Sequence, residues 1–240
     1  VITAAMGEPL EIIERRAEEL GADVFVCGED FSAQLFFPKE GGQRVAFHSV
    51  VCREPEPFDL GLAGVYQAEN AALVIMAAKL LEREDARVTE HAIRVALRTV
   101  RHPARFEILM RENLPVVIDG AHNPAGMRAL RAGLDAYFPD LPRVFLLGIL
   151  KDKDIDAMLA ALLRPGDQVI TVRPNSERAA AADVVAAIAA GMGLDTYACD
   201  DPAAALAEAQ ARAHAGNALL VAAGSLYLVG GIRAMLMTGR

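Results

Sequence analysis

From Pro103 onward one unit repeats: a short apolar run that reads as a strand, then a segment of helical length and helical apolar spacing. Strands are predicted at Arg105–Met110, Val116–Ile118, Val144–Leu147, Gln168–Val172, Asp195–Ala198 and Ala218–Ala222. Helices are predicted at Pro124–Tyr137, Ile155–Leu163, Ala181–Met192, Pro202–Ala215 and Leu226–Leu236. Strand-helix units joined by right-handed crossovers build a mostly parallel, doubly wound sheet covered on both faces. Residues 103–240 are therefore expected to form a complete Rossmann-like α/β domain.

The first hundred residues follow no such rule. A short strand at Val1–Ala4, a helix over Pro9–Leu20 stopped by Gly21, and a strand at Val24–Cys27 come first. Leu35–Phe37 and Val45–Val51 flank Lys39-Glu40-Gly41-Gly42 and suggest a β-hairpin. Helices are predicted at Gln67–Leu81 and Thr89–Thr99. The stretch has no internal repeat and would make an odd domain by itself.

With 53% hydrophobic and 23% charged residues in 240, the chain can bury a sizeable core. Its 24 basic and 32 acidic residues leave a formal charge of −8, which disfavours nonspecific binding to nucleic acid or to an anionic membrane. An anionic ligand would need a local basic pocket. Cys27, Cys52 and Cys199 lie far apart without metal-ligand or disulfide spacing, as suits a reducing cytoplasm. No apolar run reaches the ~20 residues of a membrane span.

In a doubly wound sheet, ligands gather beyond the carboxyl ends of the strands, where helix N-termini present unpaired N–H groups. Three strand ends here are followed by unusual residues: Asp119-Gly120-Ala121-His122-Asn123-Pro124, Gly148-Ile149-Leu150-Lys151-Asp152-Lys153-Asp154, and Gly224-Ser225-Leu226-Tyr227. Each has a plainer use as well. Asn123 and Ser225 suit helix caps, Lys151 and Lys153 a solvated turn, and His122 a backbone hydrogen bond.

The spelling of these segments, DGAHNP at 119–124, GILKDKD at 148–154 and GSLYLVG at 224–230, resembles the C-terminal domain of folylpolyglutamate and dihydrofolate synthases, within the Mur ligase superfamily. Pro103-Ala104-Arg105-Phe106-Glu107 is similar to that family's PGRFE, and Gly64–Asn70 to its GxHQxxN. The resemblance spans almost the whole chain and implies that residues 1–102 are the end of a central ATPase domain. Ala104 stands in place of a glycine, which predicts an ordinary backbone conformation there. Tyr66 stands where histidine is common.

What the resemblance implies is amide formation in two steps. ATP phosphorylates a folate or dihydropteroate carboxylate, and the amine of L-glutamate then displaces phosphate from the acyl phosphate. Carried over by position, Asn70 would contact the adenine, Arg105 the ATP phosphates and Asp119 the nucleoside. His122 and Ser225 would hold the incoming glutamate or its tetrahedral intermediate, with Lys151 and Lys153 as further candidates. The implied enzyme is cytoplasmic and, when complete, monomeric.

No GxxxxGK[ST] loop and no Mg²⁺-binding acid and histidine of the resembled family are found in the 240 residues. The chain also opens on Val1, within what reads as a strand already under way. The loop and the metal ligands are therefore expected upstream of Val1, and the chain alone is expected to be inactive. Two other readings stay open: a Mur-type peptide ligase of cell-wall synthesis, and a noncatalytic α/β binding domain. A dinucleotide oxidoreductase is disfavoured, since no GxGxxG follows the first strand.

Overall fold

The computed structural model describes residues 1–39, 42–52 and 54–238. They divide into two compact units, Val1–Arg101 and His102–Arg240.

The first unit begins with β1 (Ile2–Thr3), α1 (Glu8–Leu20) and β2 (Phe25–Val26), the two strands pairing in parallel. Proline in the first turn starts α1, and Gly21, at φ 64°, ends it by donating its N–H to the last carbonyls. β3 (Phe31–Lys39), β4 (Gly42–Ser49) and β5 (Glu56–Leu60) form an antiparallel sheet in that order. The predicted hairpin is thus present as β3 and β4, while its turn residues Glu40 and Gly41 lie outside the described residues. β5 was not legible in the sequence because Pro57 interrupts its short run. The proline is tolerated on an edge strand, where it pairs with Ala46.

Helices α2 (Tyr66–Leu81) and α3 (Glu90–Thr99) complete this unit, the latter capped by Thr89 Oγ1, which accepts from Ala92 N at 3.2 Å. Phe47, Phe58 and Leu60 of the sheet are buried with Ile75 and Met76 of α2 and Leu97 of α3. Phe47 and Phe58 meet edge to face, with centroids 6.3 Å apart.

The second unit is the expected doubly wound domain. In chain order it runs β6 (Glu107–Arg111), β7 (Leu114–Ile118), α4 (Pro124–Tyr137), β8 (Arg143–Leu147), α5 (Ile155–Leu162), β9 (Gln168–Val172), α6 (Ala182–Gly191), β10 (Asp195–Cys199), α7 (Pro202–Ala215), β11 (Leu219–Ala223) and α8 (Leu226–Thr238). The six strands lie in the order β10-β9-β8-β11-β7-β6. All neighbours are parallel except β6 and β7, a hairpin whose two turn residues, Glu112 and Asn113, have φ of 50° and 66°. Such left-handed pairs match the twist of a tight hairpin, and asparagine accepts them readily.

Period-two alternation divides the strand residues between the sheet's faces. Val116, Ile118, Leu146, Ile170, Leu220 and Ala222 pack into one cluster with Ala205 and Ala209 of α7 and Val229 and Ile232 of α8. On the other face α4 packs beside α5, and Thr171 Oγ1 donates to Ala182 O at the start of α6. Nearly every central strand residue is buried, which is why these strands read as continuous apolar runs.

Candidate functional site

The carboxyl ends of β7 and β11 are neighbours, because the two strands pair in parallel through Val116–Ile118 and Leu220–Ala222. Beyond them the following loops stay joined: Asp119 N donates to Ala222 O at 3.0 Å, and Gly224 N to Ala121 O at 3.0 Å. The loop after β8 joins the same edge. Gly148 N donates to Ala223 O, and a Cβ on Gly224 would lie 2.7 Å from Gly148 O, so glycine, at φ 108°, is what permits this approach. Asp119, His122 and Ser225 thus stand at one end of one sheet.

β6 runs antiparallel to β7 with Glu107 opposite Ile118, so the turn before β6 arrives at this end too. Arg105 lies in that turn. The predicted strand at Arg105–Met110 begins instead at Glu107, since Ala104 and Phe106 have φ of 57° and 46° and break the extended backbone. The ordinary conformation predicted for Ala104 is therefore corrected: it adopts the left-handed conformation that glycine favours. Two bonds impose it. Ala104 N donates to Glu107 Oε2 at 2.9 Å, and Ala104 O accepts from Gly120 N at 2.8 Å.

Asp119 completes the turn. It is 3% exposed, with Oδ2 accepting from Phe106 N at 2.8 Å and Oδ1 from Ala121 N at 2.7 Å. The Phe106 ring, 1% exposed, lies against α4: a Cβ on Gly133 would be 2.5 Å from it, and the Tyr137 ring centroid is 5.2 Å away. Glu107 is in turn gripped by both faces of a fork, Arg233 Nε and Nη2 donating to its carboxylate at 2.8–3.0 Å. Burial alone would push the Glu107 carboxyl up. The Arg233 guanidinium and the Ala104 N–H outweigh that and hold it below the usual range. Between these fixed groups Arg105 is half-buried, and its guanidinium has no hydrogen-bond or ion-pair partner among the described residues.

His122 is half-buried, its Nδ1 2.9 Å from Gly120 O. A carbonyl only accepts, so Nδ1 carries the proton of that bond and the neutral ring keeps its lone pair on Nε2. Asn123 caps α4 through Gly126 N at 2.7 Å, with Pro124 in the first turn. Ser225 is 1% exposed and precedes α8, its Oγ accepting from Tyr227 N at 3.2 Å, so the capping use weighed for it is realised. Lys151 is exposed, and Lys153 sits 3.9 Å from Asp152, which Arg178 also grips.

In the first unit, Asn70 is on α2, where its Nδ2 donates to Gln67 Oε1 at 2.9 Å. Both line a cavity of about 420 Å³ whose other walls include Leu60, Leu62, Val74 and Leu97. An apolar slot with two amides at its side suits a flat heterocycle. Sequence reasoning missed Glu107 and Arg233. The only available signal for them was the glutamate that closes Pro103–Glu107, because Arg233 lies 126 residues away. Among the described residues no group of three or more His, Cys, Asp or Glu is placed to hold a metal, and no helix is long and apolar enough to cross a membrane.

The family model described as Mur ligase, glutamate ligase domain matches residues 104–225, which carry this edge from Arg105 to Ser225. The chain belongs to the Mur ligase family. Over 173 residues, 71% of the chain, it is 38% identical to the probable bifunctional folylpolyglutamate synthase/dihydropteroate synthase of Halobacterium salinarum, of which it spans 20%. The crystal structure of folylpolyglutamate synthase from Thermotoga maritima superposes with a TM-score of 0.80 at 28% identity, covering 100% of this chain and 54% of that one. Folylpolyglutamate synthase of Mycobacterium tuberculosis, complexed with ADP, superposes with a TM-score of 0.80 at 26% identity, covering 100% and 55%. The chain thus spans about half or less of the proteins it matches.

Proposed function

We propose that this chain forms part of an ATP-dependent ligase that joins L-glutamate to a folate or dihydropteroate carboxylate through an acyl phosphate. The observation that carries this reading is the turn around Arg105, whose guanidinium has no hydrogen-bond or ion-pair partner among the described residues, at the same sheet end as His122 and Ser225. The synthases among its relatives, one of them bound to ADP, support the choice of substrates. Residues 1–102 are read as belonging to the central ATPase domain of such an enzyme, and 103–240 as its C-terminal ligase domain.

In this reading the adenine enters the apolar slot beside Asn70, and Arg105 neutralises charge on the ATP phosphates as the γ-phosphoryl group moves. Asp119 serves the nucleoside as a hydrogen-bond acceptor, while fixing the turn that carries Arg105. In its neutral form His122 offers Nε2 to take a proton from the ammonium of glutamate, which frees the amine lone pair that attacks the acyl phosphate and displaces phosphate. Ser225 stands at the start of α8, where a hydroxyl and helix N–H groups suit the glutamate carboxylate. The Mg²⁺ expected with ATP finds no ligand set among the described residues, and turnover needs a phosphate-binding loop besides them.

The test is a ligation assay on the complete gene product with ATP, L-glutamate and either a reduced folate or dihydropteroate. A product heavier by one glutamyl residue, with one phosphate released per bond, is expected. Phosphate release that ignores L-glutamate, or none at all, contradicts the reading.

A further inference from the structure

The turn that carries Arg105 holds its shape against a local preference. Two non-glycine residues, Ala104 and Phe106, sit in the left-handed region on either side of it, at φ of 57° and 46°. Such conformations are strained and persist only where surroundings over-determine them, most often at functional sites. What over-determines this one is unusually complete. Glu107 accepts from Ala104 N, Asp119 from Phe106 N, Gly120 donates to Ala104 O, and the Phe106 ring is seated on α4. Of the two carboxylates, Asp119 is fixed by burial and by its second bond to Ala121 N. Glu107 is less enclosed, its side chain 18% exposed, and its orientation comes from Arg233 on α8.

We propose that Glu107 and Arg233 are positioning residues for Arg105: the guanidinium of Arg233 fixes both carboxylate oxygens of Glu107, and Glu107 fixes the Ala104 peptide and with it the direction of Arg105. The proposal rests on the reading of Arg105 as a phosphate-binding residue and extends it to a pair that touches no substrate. A two-toothed arginine–carboxylate pair sets orientation as well as distance, which a single-point contact cannot do. It also couples the start of α8, where Ser225 stands, to the turn before β6, because Arg233 is two helical turns along the same helix.

The test uses Glu107→Ala, Glu107→Gln and Arg233→Met, with two readouts. The first is tryptic cleavage after Arg105, followed by mass spectrometry on the folded 240-residue chain. The held turn should resist, and Glu107→Ala should speed cleavage at Arg105 by about tenfold or more while cleavage at Arg111 changes little. The second is ATP saturation of the ligation reaction in the complete gene product. There Glu107→Ala should raise the KM for ATP by about tenfold, leave the KM for L-glutamate within about twofold, and be partly rescued by Glu107→Gln, which keeps an acceptor oxygen. Arg233→Met should act in the same direction. Unchanged cleavage at Arg105 and unchanged ATP saturation overturn the proposal, as does a fall in thermal stability with both readouts unmoved. If Arg105→Ala itself leaves ATP saturation intact, the phosphate reading fails, and the cleavage readout still decides whether the pair holds the turn.

Discussion

Asp119 Oδ2 accepts the backbone N–H of Phe106 at 2.8 Å, so an acid at the carboxyl end of β7 holds the turn that precedes β6. With Oδ1 bound to Ala121 N, the same side chain fixes the two segments on either side of Arg105 and His122. Its first consequence is for stability. Asp119→Ala leaves two buried N–H groups without acceptors, each worth ~1–3 kcal/mol. Urea unfolding of the variant should show a loss of about 2–4 kcal/mol. A loss under ~0.5 kcal/mol would mean that the turn finds other acceptors.

The left-handed conformation of Ala104 predicts a contrast between two substitutions at one site. A β-branched side chain is a severe outlier at positive φ, whereas glycine is at ease there. Ala104→Val should destabilise the chain by ~2 kcal/mol or more, and Ala104→Gly should stay within about 1 kcal/mol of wild type, relief of strain offsetting added chain entropy. Equal effects on thermal midpoint from the two variants would place Ala104 outside the left-handed region.

The Arg233–Glu107 pair makes part of the stability depend on pH. The folded carboxyl titrates below its ordinary value of 4.5, so its contribution is complete above that value and is lost as pH falls through the depressed folded value. Between about pH 5 and pH 3, wild type should lose stability more steeply than Arg233→Met, whose glutamate has no such partner. Parallel pH profiles for the two proteins would remove the pair from this account.

Ser225 serves as a cap in the structure and is proposed to serve as a glutamate contact, and a single variant separates these uses. Loss of the Oγ contact to Tyr227 N predicts a cost of ~1 kcal/mol. The proposed contact predicts in addition that Ser225→Ala raises the KM for L-glutamate by roughly 5- to 150-fold, the span of ~1–3 kcal/mol, with that for ATP unchanged. Lower stability with unaltered glutamate saturation would leave only the cap.

The alternation after Pro103 was legible because buried parallel strands are apolar throughout and their helices carry caps such as Asn123 and Asp201. β5 was hidden by Pro57, and the start of β6 was misplaced because nothing in the spelling of Pro103–Glu107 reveals that Ala104 and Phe106 turn left-handed. That conformation is held by Glu107, itself gripped by Arg233, and by Asp119 and Gly120 further along the chain, and propensity does not see such partners. Candidate residues at strand ends were legible by their type and place. The Glu107–Arg233 pair was not, since a contact between a strand and the last helix leaves no local pattern.

Arg105, with no internal partner among the described residues, is proposed to meet phosphate. This role is tested most directly by Arg105→Ala in the complete gene product, with thermal unfolding and ligation kinetics measured on one preparation. A midpoint within a few degrees of wild type is expected, since no partner among the described residues is lost, together with a fall of about 10²-fold or more in kcat/KM for ATP. Wild-type kinetics, or a collapse of stability that accounts for the lost activity, would contradict it.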